Sequence, residues 1–322
     1  MSAETLARFV ADLDRLSPAG ERIGVAVSGG PDSLALLLLA AAARPGLVEA
    51  ITVDHALRPD SRAEAEHVAA VCADLGVRHE IRTVQWGETP DSGLQEKARE
   101  ARYGLIAEWL GERDLPAVCT AHHRDDQAET MLMRLMRGAG VRGLAAIRPS
   151  GPLPGKSERR VFRPLLAWSR SELAAACEGA GIVPVADPSN DDAQFERVRV
   201  RQQIAALDLD TDGLARSAGH LRDADDAIEW AVERQWSQSV RAADRGLEFD
   251  PGDAPSEIRR RIVIRIIAEL ASEGSGDLRG RELDRLLESL ESGAVATLRG
   301  VRAEGGPTWR FRPAPPRTLD CG

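Results

Sequence analysis

Val25-Ala26-Val27-Ser28-Gly29-Gly30-Pro31-Asp32-Ser33, followed at once by an apolar run from Leu34 to Ala43, decides how the chain folds. Ile23 to Val27 is short and β-branched, the pattern of a buried strand, whereas the longer Leu- and Ala-rich run has the pattern of a helix. Between them lie two glycines that permit a tight bend with exposed N–H groups, a proline suited to the first helical turn, and the hydroxyls of Ser28 and Ser33. A strand that enters a helix through such a turn forms a cradle for an anion, most readily a phosphate. An ordinary glycine turn would explain Gly29-Gly30 alone, but not the agreement of the flanking positions with one chemistry. The spacing has neither the Lys-Ser/Thr ending of a P-loop nor the third glycine of a dinucleotide fingerprint.

Working outward, Val48 to Val53 predicts a second strand that ends in Asp54-His55-Ala56-Leu57-Arg58-Pro59. A helix over about 61–75 and a third strand near His79 to Val84 follow, and then a helix to about Glu112 opened by a capping box at Ser92 to Gln95. The fourth strand, Ala117 to Thr120, runs into Ala121-His122-His123-Arg124-Asp125-Asp126-Gln127-Ala128-Glu129-Thr130. Strands separated by helices predict an α/β fold, a parallel sheet with helices on both faces. Ligands of such sheets sit beyond the carboxyl ends of the strands, which brings Ser28, Asp54 and the end of the fourth strand to one edge. Asp126 with Glu129 reads as a capping box for a helix from Thr130 to Arg137. Capping uses one carboxylate and leaves the paired histidines and Asp125 unexplained.

Further on, Arg148 to Arg160, containing PSGPLPGKSERR, predicts a basic, mobile surface loop. Ser169 and Glu172 cap another helix, and Asp187-Pro188-Ser189-Asn190 reads as a turn. Arg197, Arg199 and Arg201 alternate with Val198 and Val200, as in an exposed strand or a solvated helical turn. From about Thr211 the character changes: Leu214, Leu221, Ile228, Val232 and Trp236 mark a long amphipathic helix. Two domains are expected, a catalytic one over 1–210 and a small, mainly helical one over 211–322, with strand-like sequence from Ala296 to Phe311.

Composition limits the function. Apolar content of 43% and charged content of 29% are those of a globular protein, and no apolar run approaches the roughly 18 to 20 residues that span a bilayer. Met1-Ser2-Ala3-Glu4 lacks the basic start and apolar core of a signal peptide, so the expected location is cytoplasmic. Cys72, Cys119, Cys177 and Cys321 are far apart, which argues against a zinc ribbon, an iron–sulfur site or a redox dithiol. A net charge of −9 repels polyanions overall, so a nucleic-acid partner has to be met by local basic patches.

SGGPDS resembles the SGGxDS loop of the ATP pyrophosphatase superfamily, which implies an adenine nucleotide alpha hydrolase-like fold. With VDHALR, QEKAREARY, TAHHRDDQAET, the RPLL at Arg163 and DPSN followed by clustered arginines, residues 23 to about 201 are similar to the tRNA(Ile)-lysidine synthetase family. One departure is Val198, where that family usually has asparagine after the arginine matched by Arg197. The resemblance implies a ligase that uses ATP and Mg²⁺ to adenylate the wobble cytidine of tRNA(Ile) with anticodon CAU. Free lysine then attacks, and pyrophosphate and AMP leave. It also implies a phosphate and nucleoside site at Ser28, Gly29, Gly30, Pro31, Asp32, Ser33, Val53, Asp54 and His55. Asp32 and Asp126 would hold the metal, Arg197 would neutralise phosphate charge, and His122 or His123 would orient Asp126 or pass a proton. Arg142, Lys156, Arg159, Arg160 and Arg163 are expected to meet tRNA, and a homodimer is compatible. A thiolating relative or a non-catalytic nucleotide-binding module are the competing readings; scattered cysteines weigh against the first and two further carboxylate clusters against the second.

Overall fold

The computed structural model describes residues 1–58, 60–86, 93–185, 194, 196–271 and 280–314. Pro59, Ser92, the side chain of Lys156, the expected turn at Asp187 to Asn190, and Cys321 lie outside the described residues. The chain divides into two compact units, Met1–Arg222 and Asp223–Gly322.

The first unit runs α1 (Ala3–Asp14), β1 (Ile23–Ala26), α2 (Pro31–Ala43), β2 (Val48–Asp54), α3 (Ser61–Asp74), β3 (Arg78–Thr83), α4 (Leu94–Glu112) and β4 (Ala117–Cys119). It continues through α5 (Arg124–Met136), α6 (Val141–Leu144), β5 (Ser150–Leu153), β6 (Lys156–Phe162), α7 (Arg170–Gly179) and α8 (Glu196–Ala206) into α9 (Thr211–Ser239), inside which the unit boundary falls. The strands form one sheet in the order β3-β2-β1-β4-β6-β5. All neighbours are parallel except the β5–β6 pair at the edge.

Side chains alternate across this sheet with period two and so build a core on each face. Ile23, Val25, Val48, Ala50, Ala117 and Cys119 pack with α2 and with Phe9, Leu13, Trp168 and Leu173. Ile51, Val118 and Val161 face the other way, onto Tyr103, Ile106, Trp109 and Leu110 of α4. α2 is apolar all round because it is buried along most of its length, from Ser33 to Ala40.

Gly24 lets α4 close on the sheet, since a Cβ there would stand 2.6 Å from a ring carbon of Trp109. The variant Gly24→Ala is therefore expected to lose about 1–3 kcal/mol to overpacking, read as a lowered melting temperature. An unchanged melting temperature would show that the indole can move aside.

One expectation needs correction, and one pair of alternatives, exposed strand or helical turn, is decided. The basic segment from Arg148 to Arg160 is no loose loop: β5 and β6 form an antiparallel hairpin that extends the sheet, because Val161 and Leu153 are apolar enough to bury. The alternating Arg197 to Arg201 segment is helix α8, whose buried Val198, Val200 and Ile204 leave Arg197 and Arg201 one turn apart.

In the second unit, β7 (Val240–Ala243), β8 (Gly246–Phe249), α10 (Ser256–Leu270), α11 (Arg281–Glu291), β9 (Val295–Leu298), β10 (Val301–Glu304) and β11 (Trp309–Pro313) follow the end of α9. Its sheet, ordered β7-β8-β11-β10-β9, is antiparallel throughout. Phe249, Trp309 and Phe311 pack with Ile262, Ile266, Leu286 and Leu290. Sequence periodicity identified the long α9 and the last strands; the short β7–β8 hairpin carries too few alternating positions to stand out.

Candidate active site

In this sheet order β1 lies between β2 and β4, and the chain turns away in opposite directions from β1 and β4. That switch point opens a crevice beyond the strand ends, the place where α/β sheets bind ligands. Three loops meet there, after β1, β2 and β4.

The loop after β1 is held together by its own serine. Ser33 is buried; its hydroxyl donates to the Gly30 carbonyl at 3.0 Å and accepts from the Ser28 N–H at 3.1 Å. Ser33 thus shapes the loop, while Ser28 stays exposed. Gly29 has φ +88°, which favours glycine, and a Cβ there would also press on Val185 at 3.3 Å. Gly30 caps α2 and Pro31 opens it, leaving the first-turn N–H groups to point into the crevice.

The loop after β4 gathers charge around one imidazole. His123, 2% exposed, has Nε2 at 3.4 Å from Asp32 Oδ2 and 3.6 Å from Asp126 Oδ2, and Nδ1 at 3.3 Å from Asp125 Oδ2. Burial by itself would push its pKa down, but contact with Asp125 and Asp32, together with the charge of Asp126, outweighs it and raises the value to about 10. His123 is therefore an imidazolium, which holds Asp125 down at about 2. His122 behaves oppositely. Burial pushes it down to about 4, against the opposing pull of Asp126, so it is a neutral imidazole, with Nδ1 at 3.0 Å from Thr120 Oγ1.

Helix α5 begins at Arg124 with His123 as its N-cap, and Asp126 Oδ2 accepts the His123 N–H at 2.9 Å. The expected helix start at Thr130, with Asp126 and Glu129 as its capping box, is thus corrected. Glu129 is left for another task. It is 2% exposed and is bound by Arg197 Nε at 3.3 Å and Arg201 Nε at 2.7 Å. Arg197 also reaches Asp126 Oδ1 at 3.6 Å and donates to Thr130 Oγ1 at 3.0 Å. Glu129, Arg201 and Asp125 were not singled out as site residues. The available signal was spacing: carboxylates at 126 and 129 and guanidiniums at 197 and 201 each lie on one face of a helix.

At the end of β2, Asp54 is buried and accepts the Ala56 N–H at 2.8 Å, with Ala56 at φ 51°, so Asp54 sets the turn. His55 offers its carbonyl to Trp86 Nε1 at 2.7 Å, and its Nδ1 is buried without a hydrogen-bond partner among the described residues. Burial, then the charge of Arg102, lowers its pKa. Val53 is half-buried and packs against the α4 side of the sheet.

Four of the five basic residues expected to meet tRNA have described side chains. Arg163 is half-buried and donates to the Arg148 carbonyl at 2.9 Å, and Arg159 donates to the Leu115 carbonyl at 2.5 Å. Arg160 is exposed on the hairpin and donates to Ser150 Oγ, and Arg142 is exposed on α6.

One of the two metal candidates has an orphaned atom. Oδ1 of Asp32 is buried with no hydrogen-bond partner among the described residues. Beside the cluster, a hollow of about 290 Å³ is lined by Asp125, Glu129, Asp208, Arg170 and Arg201, charges of both signs around the apolar Ile204. The three described cysteines are buried, and burial lifts Cys72 and Cys119 to about 12 and Cys177 to about 11. Such thiols are poor nucleophiles and poor cluster ligands. Among the described residues no helix is long and apolar enough to cross a membrane.

Residues 2–207 match the PP-loop domain family. Over 97% of its length the chain is 46% identical to a tRNA(Ile)-lysidine synthase of Novosphingobium aromaticivorans, covering 95% of that protein. To a second, from Zymomonas mobilis, it is 43% identical over 94% of this chain and 91% of that one. Among solved structures, a U34-tRNA thiolase from Methanococcus maripaludis, determined with its [4Fe-4S] cluster, superimposes with TM-score 0.56 at 16% identity, covering 70% of this chain and 78% of that one. At that identity the likeness concerns the fold.

Proposed function

The chain belongs to the tRNA(Ile)-lysidine synthase family of PP-loop enzymes, and from that premise we propose how its own residues perform the reaction. It is a carbon–nitrogen ligase whose substrate is tRNA(Ile). ATP use follows from the PP-loop domain. In the reading proposed, the carbonyl oxygen of the wobble cytosine attacks the α-phosphorus of ATP and pyrophosphate leaves. The side-chain amine of free lysine then attacks the same ring carbon, loses a proton, and expels AMP.

The observation that carries this reading is the convergence of Asp32, Asp126 and Arg197 beside the glycine loop, at the switch point of the sheet. The N–H groups at the start of α2 and exposed Ser28 would receive the phosphates, and the Arg197 guanidinium would offset charge on the departing pyrophosphate. The orphaned Asp32 oxygen with Asp126 fits Mg²⁺, a hard cation content with few carboxylates and retained waters. When bound, the ion would supply positive charge to the leaving group. Asp54, His55 and Val53 would border the nucleoside.

Lysine suits the hollow of mixed charge: a zwitterion needs both carboxylates and guanidiniums, which Asp125, Asp208, Arg170 and Arg201 offer. With a side-chain pKa of about 10.4, only about one lysine in a few thousand has a neutral amine at pH 7, a penalty of roughly 4–5 kcal/mol. A proton acceptor is therefore required. His123, held as an imidazolium, cannot serve, and burial makes the neutral His122 a weak base, so a carboxylate or a held water takes the proton in this reading. The Asp223–Gly322 unit we assign to holding tRNA.

Radiolabelled lysine offered with ATP and bulk tRNA tests the reading. Label is expected to enter RNA only when ATP is present and the wobble base is cytidine, with pyrophosphate released only when tRNA is added. Release without tRNA, or label-free RNA, would refute it.

A further inference from the structure

The outer face of the C-terminal sheet holds two guanidiniums, Arg302 and Arg312, that make no ion pair within 4.0 Å to a described group. Arg302 on β10 lies directly opposite Arg312 on β11 in the antiparallel register. Like charges so placed destabilise a strand pair. The neighbouring row differs: Arg310 stands opposite Glu304 and donates to Glu248 on β8 at 3.0 Å. Nε of Arg302 is buried without a hydrogen-bond partner among the described residues.

Gly246 on β8 shapes the same place. A Cβ there would overlap the Phe311 carbonyl oxygen and stand 3.0 Å from Arg312 Cα, so the close approach of β8 and β11 demands glycine. Beside it a hollow of about 260 Å³ is lined by Arg245, Arg302, Arg310 and Arg312. Asp244, Glu248 and Glu304 also border it, and the last two face Arg310 across the strands.

We propose that this hollow seats a backbone phosphate of the RNA substrate, with Arg302 and Arg312 as its two forks. The proposal rests on the reading above that the substrate is tRNA. A phosphodiester supplies the negative charge that relieves the cross-strand repulsion, and paired guanidiniums match its oxygens bidentately. The lining is four guanidiniums and three carboxylates, two of which face Arg310, over a buried Phe311, with no exposed ring on which a base could stack, so the contact positions the RNA and reads no sequence.

The test uses the whole chain, comparing wild type, Arg302→Ala with Arg312→Ala, and Arg302→Lys with Arg312→Lys, by tRNA dissociation constants between about 50 and 200 mM salt. The alanine pair is expected to weaken binding on the order of tenfold at the lower salt and to flatten the slope of log K against log salt by about one to two. The lysine pair should retain most of that slope. The KM for ATP and kcat at saturating tRNA should be unchanged, and the melting temperature should not fall, because a repulsion has been removed. Wild-type affinity and slope in the alanine pair, or weaker binding at unchanged slope, would overturn the proposal and leave the enzyme's function untouched. Absence of tRNA binding by the wild-type chain would instead refute the substrate reading, and the phosphate seat with it. Should the alanine pair fail to fold, Arg312→Gln, at an exposed position of β11, carries the same test with about half the slope change.

Discussion

Asp126→Asn is expected to lower tRNA-dependent pyrophosphate release on the order of 10³-fold while the protein still folds and melts as wild type does. The asparagine would keep the local structure because its side-chain carbonyl can accept the His123 N–H that Asp126 now accepts at 2.9 Å. What disappears is one negative charge from a cluster whose cations are arranged around it, His123 at 3.6 Å and Arg197 at 3.6 Å. With a single carboxylate left in the proposed metal pair, the charge on the departing pyrophosphate is no longer offset. Near-normal turnover at wild-type stability would remove Asp126 from the catalytic site. A large fall in melting temperature would instead show that its chief work is capping α5.

Arg197→Lys should cost on the order of 10²-fold in kcat although the charge is conserved. One guanidinium here serves three groups: Asp126 at 3.6 Å, Glu129 at 3.3 Å and Thr130 at 3.0 Å. An ammonium is a compact point charge and cannot span that fan of acceptors. The stability cost should be small, about 1 kcal/mol or less, because Arg197 is 41% exposed and Arg201 continues to neutralise buried Glu129 at 2.7 Å. Full activity in the lysine variant would mean that position 197 acts only through its charge. A strongly destabilised variant would mean that the contact with Glu129 is mainly structural.

The glycine loop could be read directly because each residue in it answers a local backbone demand. The positive φ of Gly29, the cap at Gly30 and the proline at the helix start are properties of a short segment. Alternation of strands and helices likewise forecast a parallel sheet, and Asp126 stood out because a dense run of His and Asp exceeds what capping needs. Glu129 was harder to see. In sequence it resembles a helix-capping acid, and only the packing of α8 on α5 turns it into the buried partner of two arginines. The hairpin at β5–β6 was concealed by its glycines, prolines and arginines, which look like a loop until Val161 is seen buried against α4.

The sequence by itself determined the glycine turn between β1 and α2, the α/β alternation and the run of carboxylates after β4, since these depend on residues within a few positions of one another. Tertiary structure alone decided that His123 is charged while His122 is neutral. Both adjacent imidazoles are desolvated, but three carboxylates outweigh burial at His123, whereas at His122 burial is opposed by Asp126 alone and reinforced by nearby guanidiniums. It also decided that Arg302 faces Arg312, because strand register, which sets cross-strand neighbours, is fixed by the packing of the whole sheet.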